Sequence, residues 1–279
     1  MSKAAFAIGD VLRDGWKGFK KNAKFLIVPL VLIFILVSVF YAAYFYFITL
    51  HRDYSGITLI VFLAGYLVYF LIAAYFSLSL IKATIDTAKG KKLSWDILVN
   101  DIGYYFRYLL AIILYVVVML IIPALLGIII AVAGLQTNAV ILVAALAISI
   151  IIALIAAFVF YPVIFFAADK DQKFDIVKFF VKSYEIVTKN LGQLVLYALA
   201  IIGILILAYI ALLIAGFLVS MILTIIIYAT SAGNTTVIAS IVSIAVFRLL
   251  ALAVYIVVVL PIYVSFAEVY KKLVYTRKK

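Results

Sequence analysis

The sequence predicts an all-α integral membrane protein with six transmembrane helices and three amphipathic surface helices on one side. Of the 279 residues, 70% are hydrophobic, and long apolar runs alternate with short polar segments. A soluble domain is roughly half apolar, so this chain needs lipid as its solvent. Basic residues gather in every second polar segment. The formal charge of +12 therefore follows the positive-inside rule and does not indicate nucleic acid.

Six apolar runs are long enough to cross a hydrocarbon core of about 30 Å, which takes about 20 helical residues. In chain order they are 25–50, 57–81, 105–133, 139–168, 191–230 and 237–267. The fifth run would reach roughly 60 Å as one straight helix. The sequence leaves open whether residues 191–230 form one long, bent or broken helix.

Three segments on the basic side predict amphipathic helices at the membrane surface. The first covers 4–22 and carries Trp16, and the second follows Ser94 as its N-cap and carries Trp95. The third lies within 169–190 and has Phe180 on its apolar face. Its charged stripe is formed by Asp175, Lys178, Lys182, Glu185 and Lys189. We expect the three aromatic side chains to contact the membrane.

The distribution of charge predicts the orientation of the chain. One side of the predicted bilayer carries 21 basic and 10 acidic residues, whereas the loops on the other side carry one of each. The basic side is expected to be cytoplasmic. The sequence thus predicts a multi-pass protein of the cell membrane with both termini in the cytoplasm.

A threefold repeat of surface helix and hairpin is predicted within a single membrane domain, 1–279. The units are approximately 4–88, 93–170 and 174–272. An acid follows each inward crossing at a corresponding place: Asp86, Asp169 and Glu268. These acids could converge to bind a cation, or they could pair with the adjacent lysines. The alternative to a repeat is that membrane hairpins in general have polar residues at these places.

Arg248 is the sharpest candidate for a ligand-binding residue. It lies about a dozen residues into the last crossing, where a charge costs a few kcal/mol and usually faces the interior or a wet cavity. Ser240 and Tyr255 share its helical face. We expect these three residues to line a ligand pocket. The alternative is a structural arginine that snorkels or contacts backbone carbonyls.

The chemistry of the remaining residues argues against an enzyme. The chain has no cysteine and one histidine, His51, so neither thiolate nor histidine clusters can hold a metal. No catalytic arrangement and no phosphate-binding glycine loop is evident, and no cofactor is expected. Asn234 begins an Asn-Thr-Thr acceptor pattern for glycosylation in a short outer turn.

Several short motifs carry a family resemblance. They are Gly15-Trp16 with Lys20-Lys21-Asn22, then Phe166-Ala167-Ala168-Asp169, and Val181-Lys182-Ser183-Tyr184 with Thr188-Lys189-Asn190. The chain resembles a broad group of uncharacterised six-helix membrane proteins of bacteria and archaea. That group is similar to the membrane domain fused to some glycerophosphodiester phosphodiesterases. The resemblance implies fold and topology, whereas the chain has no room for the catalytic domain of those fusions.

Two functions are compatible with these observations. The first is a non-enzymatic protein, transporter-like or permease-like, that handles a lipid or small molecule in an intramembrane pocket near Arg248. The alternative is a structural or assembly protein that organises lipids or proteins through its basic cytoplasmic face. Anionic lipids are the expected partners on that face, and a homo-oligomer is compatible with the sequence.

Overall fold

The computed structural model describes residues 6–50, 56–134, 139–230 and 235–275. In these ranges the chain is almost entirely helical and contains no strand. Six stretches are long and apolar enough to cross a membrane: Ile8–Tyr44, Leu63–Ala88, Ile102–Val132, Ala139–Ala168, Leu191–Ile222 and Ala245–Tyr275. The predicted all-α, six-span membrane fold is confirmed.

The helices follow the predicted order. They are α1 (Ile8–Leu50), α2 (Gly56–Ala88), α3 (Ile102–Val132), α4 (Ala139–Phe160), α5 (Pro162–Ala168), α6 (Ile176–Lys189), α7 (Leu191–Thr230), α8 (Thr235–Val254) and α9 (Leu260–Tyr275). A 3-10 turn, Trp95–Leu98, precedes α3, and a π turn, Tyr255–Val259, joins α8 to α9. Helix α7 runs through 40 residues without a break, so the structure excludes the broken helix among the alternatives that the sequence left open.

An asparagine marks the junction between surface helix and span in two of the units. Asn22 (φ −121°, ψ 18°) interrupts the helical geometry of α1, and Asn190 (φ −124°, ψ 21°) separates α6 from α7. The Asn22 side chain donates a hydrogen bond to Thr87 Oγ1 at 3.2 Å. The same backbone geometry therefore turns the chain from the surface into the membrane in both units.

The middle surface element is shorter than predicted. Trp95–Leu98 is one 3-10 turn, and the Ser94 side chain makes no capping hydrogen bond. Asp101 instead caps α3 by accepting from the backbone N–H groups of Gly103 and Tyr104. Because this cap starts the next helix at Ile102, too few residues remain for an α-helix here.

Prolines perturb the helices that the sequence predicts as the inward crossings of the second and third units. Tyr161 forms a turn between α4 and α5, directly before Pro162. The π turn ends where Leu260 donates its N–H to Tyr255 O, directly before Pro261. Proline lacks the N–H that continues the helical ladder, and a π turn is one way to accommodate it. Ser79 occupies the corresponding place in α2, which continues unbroken.

The three inward crossings meet at one end of the bundle, which we call the charged face because Asp86, Asp169 and Glu268 lie there. One buried cluster joins Ile81 of α2, Phe165 of α5 and Tyr270 of α9, and the last two rings are 5.6 Å apart. Away from this face the spans are largely exposed to their surroundings. Helix α4 has no buried residue at all.

Each surface element docks on the inward crossing of the preceding unit, in cyclic order. Gly15 of α1 lies against Ser265 of α9. Ile97 of the 3-10 turn packs in one cluster with Leu80 of α2. Phe179 of α6 stacks on Phe166 of α5, with ring centroids 5.6 Å apart. This order is the one that a threefold repeat produces.

Candidate functional site

The candidate site is an apolar cleft between the second and third hairpins. Its volume is about 310 Å³. It lies close to the charged face and is bounded by six helices, α3, α4, α5, α6, α7 and α9. The lining side chains are Tyr115, Leu154, Ala157, Phe158, Tyr161, Pro162, Phe165, Ile186, Val187, Leu194, Tyr197, Ala198, Phe266, Val269, Tyr270, Leu273 and Val274.

Aromatic rings make the walls of the cleft firm. Tyr197 of α7 packs edge-on against Phe266 of α9 with centroids 5.3 Å apart, and Tyr161 packs against the same ring at 5.2 Å. The Tyr197 hydroxyl is buried near Ser265 and makes no hydrogen bond of normal geometry. A ligand in the cleft would therefore meet carbon almost everywhere.

A polar network lies behind one wall of the cleft, at the charged face. Asp169 is buried, and its carboxylate accepts from Lys89 Nζ at 2.6 Å, Tyr270 OH at 3.0 Å and Tyr275 OH at 2.6 Å. The three partners come from the ends of the first and third inward crossings. Asp169 therefore ties the three hairpins together, and Tyr270 belongs to both the network and the cleft.

Lys89 and Asp171 extend this network to the surface. Lys89 Nζ also donates to Asp171 Oδ2 at 2.7 Å and lies 4.5 Å from the Tyr275 ring centroid. Burial by itself lowers the pKa of Lys89, but hydrogen bonds to Asp169, Asp171 and Tyr275 outweigh burial and raise that pKa. The hydrogen bond from Lys89 lowers the pKa of Asp171. Both groups are therefore charged at neutral pH.

Arg107 and Tyr104 of α3 cap the carboxyl end of α5. Arg107 Nη2 donates to Phe166 O at 2.9 Å and Asp169 O at 3.1 Å, and the Tyr104 hydroxyl donates to Ala168 O. A cation at a helix C-terminus satisfies free carbonyls and the helix dipole together. The guanidinium also lies 5.5 Å from the rings of Tyr104, Phe174 and Phe179.

The three predicted repeat acids lie beside lysines. Asp86 is 3.1 Å from Lys91 Nζ, and Glu268 is 3.4 Å from Lys271 Nζ; Asp169 has Lys89 as described. Of the two alternatives for these acids, the geometry supports pairing with lysine. Among the residues that the structure describes, no group of three His, Cys, Asp or Glu side chains could hold a metal ion.

The structure describes the side chains of two of the three predicted ligand residues on the last crossing, Arg248 and Tyr255. Arg248 is exposed in α8, and Tyr255, at the start of the π turn, is half exposed. Neither residue lines the cleft or a second cavity described below. The side chain of Ser240 and all of Asn234 and His51 lie outside the described residues.

The predicted membrane contacts of the surface elements have different environments. Trp16 and Trp95 are exposed, 38% and 52% respectively. Phe180 is only partly exposed and packs on Phe160 of α4, with ring centroids 5.3 Å apart. Its neighbour Phe179 is fully buried, as are Ser183 and Val187 of the same helix. The surface helices are thus docked on the bundle rather than lying free on the membrane.

Comparisons with protein-family models, curated proteins and solved structures found no match to this chain. The resemblance to the phosphodiesterase-fused membrane domain therefore stays an expectation from the motifs. The cleft, the Asp169 network and the cap by Arg107 are the features on which a function can be argued.

Sequence reasoning did not assign Lys89, Arg107, Tyr270 or Tyr275 to a functional site. A signal existed for Arg107, because a basic residue in the first turns of an apolar run needs partners nearby. The two tyrosines carried no such signal, since tyrosine is abundant in this chain, at 20 residues.

Proposed function

We propose that this protein is a non-enzymatic, multi-pass membrane protein that binds a lipid acyl chain or a similarly apolar small molecule in the cleft. The cleft is the single observation that carries this proposal. Its volume, about 310 Å³, lies within the size range of small-molecule sites, ≈ 300–1,000 Å³. Its lining is carbon-rich, so a polar or charged ligand would lose its hydration without compensation.

The binding energy would come from packing. A lipid tail is already in an apolar solvent, so leaving the bilayer gains nothing from the hydrophobic effect. Aromatic side chains held in place against one another offer closer and more ordered contacts than fluid tails do. We put the ligand in the cleft rather than beside Arg248, because Arg248 lines neither cavity.

A lipid with a photoactivatable diazirine in its acyl chain tests this function. In bilayers containing such a phosphatidylcholine, we expect labels on cleft residues such as Leu154 and Phe158, mapped by mass spectrometry. Ala198→Phe fills the cleft and should reduce these labels about tenfold. A reduction of this size is typical when a binding site loses the contacts of one important side chain. The matched control is Ala211→Phe, at an exposed position of the same helix.

Unchanged labelling of the cleft in Ala198→Phe would contradict the proposal. Such a result would favour the alternative, a structural or assembly protein. That alternative is supported by the apolar surface of the spans, for example along α4, which has no buried residue. The two functions thus make opposite predictions for one variant.

The proposed location is the cell membrane, with both termini in the cytoplasm. Because the chain has no cysteine, single cysteines report sidedness directly. We expect Ala133→Cys, at the far end of α3, to react with a membrane-impermeant maleimide in intact cells. Lys173→Cys, on the charged face, should react only after the cells are opened. The reverse pattern would overturn the orientation.

A further inference from the structure

A second cavity lies at the charged face, between the Asn22 junction of α1 and the loop after α2, and away from the cleft. Its volume is about 390 Å³, and its lining is Lys21, Asn22, Lys24, Phe25, Gly90, Lys92 and Leu93. We call it the lysine pocket. It shares no lining residue with the cleft, so its role is independent of the proposed function.

Two backbone features bring the three lysines together. The junction at Asn22 places Lys21 at the end of the surface helix and Lys24 in the first turn of the span. On the other side, Gly90 has φ +76°. Gly90 N–H bonds to Thr87 O and Lys91 N–H bonds to Asp86 O, at 3.0 and 2.9 Å.

The glycine at this turn has a physical reason. The two hydrogen bonds form a Schellman motif, whose C′ position requires a left-handed residue. Because the motif reverses the chain after α2, Lys92 returns toward the junction of α1. Leu93 is buried in the same cluster as Phe25 and Leu26, which anchors the loop and gives the pocket fixed walls.

The lysines of the pocket are free to bind an anion. Of the acids that the structure describes, none forms an ion pair with Lys21, Lys24 or Lys92. By contrast, Lys89, Lys91, Lys178, Lys189, Lys271 and Lys272 each have an acidic partner within 4 Å. Three uncompensated positive charges at one cavity attract a strong anion such as a phosphate.

The aromatic neighbours of the pocket are of the kind found at the level of lipid headgroups. Trp95 packs on Phe25 with ring centroids 4.9 Å apart and is itself half exposed. Lys24 Nζ lies 4.9 Å from the centroid of the Phe25 ring. Exposed tryptophan and stretched lysine side chains are typical of the membrane interface. A lipid whose phosphate is held there would have its acyl chains beside the apolar surface of α1.

We propose that the lysine pocket is a binding site for the phosphate group of an anionic membrane lipid. Lys21, Lys24 and Lys92 supply the positive charge, and the phosphate is the chemistry that they recognise. We assign the source to a lipid rather than to free phosphate, because the pocket adjoins the surface of the first span.

The test uses the full-length protein purified in detergent and native mass spectrometry with added phosphatidylglycerol. The pocket variant is Lys21→Gln/Lys24→Gln/Lys92→Gln. Because each interfacial lysine contributes about fivefold to attraction of an anionic lipid, we expect a loss of about a hundredfold in affinity. Binding of zwitterionic phosphatidylcholine should not change.

The matched control is Lys17→Gln/Lys173→Gln/Lys182→Gln, which removes the same charge from exposed positions without acidic partners. It should keep nearly all the affinity for phosphatidylglycerol. Replacing the three pocket lysines with arginine conserves the charge and should also keep the affinity for phosphatidylglycerol. That result would show that the site tolerates substitution at these positions as long as the charge is kept. Equal losses in the two glutamine variants would overturn the site, because the attraction would then be diffuse.

Inorganic phosphate separates the two sources of the ligand. Phosphate at millimolar concentration should displace little phosphatidylglycerol from the wild type, because it lacks the contacts of the acyl chains with α1. Full displacement, together with equal binding of phosphate alone, would overturn the assignment to a lipid and leave a site for a soluble phosphate.

Discussion

Replacing Asp169 with alanine should lower the free energy of unfolding by about 3–5 kcal/mol, the cost of removing one partner from a buried ion pair. The variant leaves Lys89 and two tyrosine hydroxyls without their shared acceptor at the meeting point of the three hairpins. Asp171 keeps a bond to Lys89, but it is half exposed and cannot replace the buried carboxylate. Unfolding in mixed micelles with increasing sodium dodecyl sulfate measures the loss.

The matched control for this variant is Asp10→Ala. Asp10 pairs with Arg13 at 2.7 Å, but both side chains are largely exposed, so we expect a loss of only about 0–1 kcal/mol. Asp169→Asn should fall between the two, because an amide retains one acceptor atom. If Asp169→Ala lost no more stability than the control, the network would not hold the hairpins together.

The same variant has a second readout at the cleft. Tyr270 donates to Asp169 and also lines the cleft. Loss of its partner frees the ring to move, so labelling of the cleft by the diazirine lipid should become less specific. A variant that was simply less stable, but with an intact cleft below its unfolding transition, would not show this change.

Gly15→Ala should destabilise the docking of the N-terminal surface helix by about 1–3 kcal/mol, the usual cost of overpacking. A Cβ at this position would lie 2.0 Å from Ser265 Oγ, 2.8 Å from Ser265 N and 2.9 Å from Ser265 Cα. Two of these atoms belong to the backbone, so a rotation of the serine side chain cannot relieve the contact. Limited trypsin digestion at Lys17 should therefore become faster.

Gly9→Ala is the control. Gly9 lies in the same helix as Gly15, and a Cβ at Gly9 would meet nothing within 4 Å. It should be neutral or stabilising by about 0.5–1 kcal/mol, because alanine favours a helix over glycine. Adding Ser265→Gly to Gly15→Ala should restore docking only in part, because the backbone contacts remain. Equal digestion of Gly15→Ala and Gly9→Ala would show that α1 and α9 are not closely packed.

The pattern of apolar and charged residues along the chain predicted those parts of the fold that depend on whether a segment lies in lipid or in water. The apolar run 191–230 reports a lipid environment, and the change to a charged stripe before it reports a helix end at the surface. The charged stripe of α6 was readable for the same reason, except that Asp175 is the N-cap of this helix, where its carboxylate accepts from the backbone N–H of Lys178. The continuous course of α7 was not, because glycine in a helix weakens it without specifying a break.

Most of the candidate site could not be predicted from the pattern of apolar and charged residues. Asp169 was singled out from the sequence, but its partners were not, since they lie 80, 101 and 106 residues away along the chain. Arg248 was chosen for its depth in the bilayer, and it lines neither cavity. The cost of a buried charge shows that partners are needed without showing which residues provide them.

The sequence by itself determined that the chain is a six-helix membrane protein with its charge concentrated at one end of the spans. Hydrophobicity and charge suffice for this, because each segment must match the medium around it. Only the tertiary structure decided which hairpin receives which surface helix, where the cleft lies, and which lysines keep no acidic partner. Those features depend on contacts between distant segments, and such contacts leave no periodic trace in the sequence.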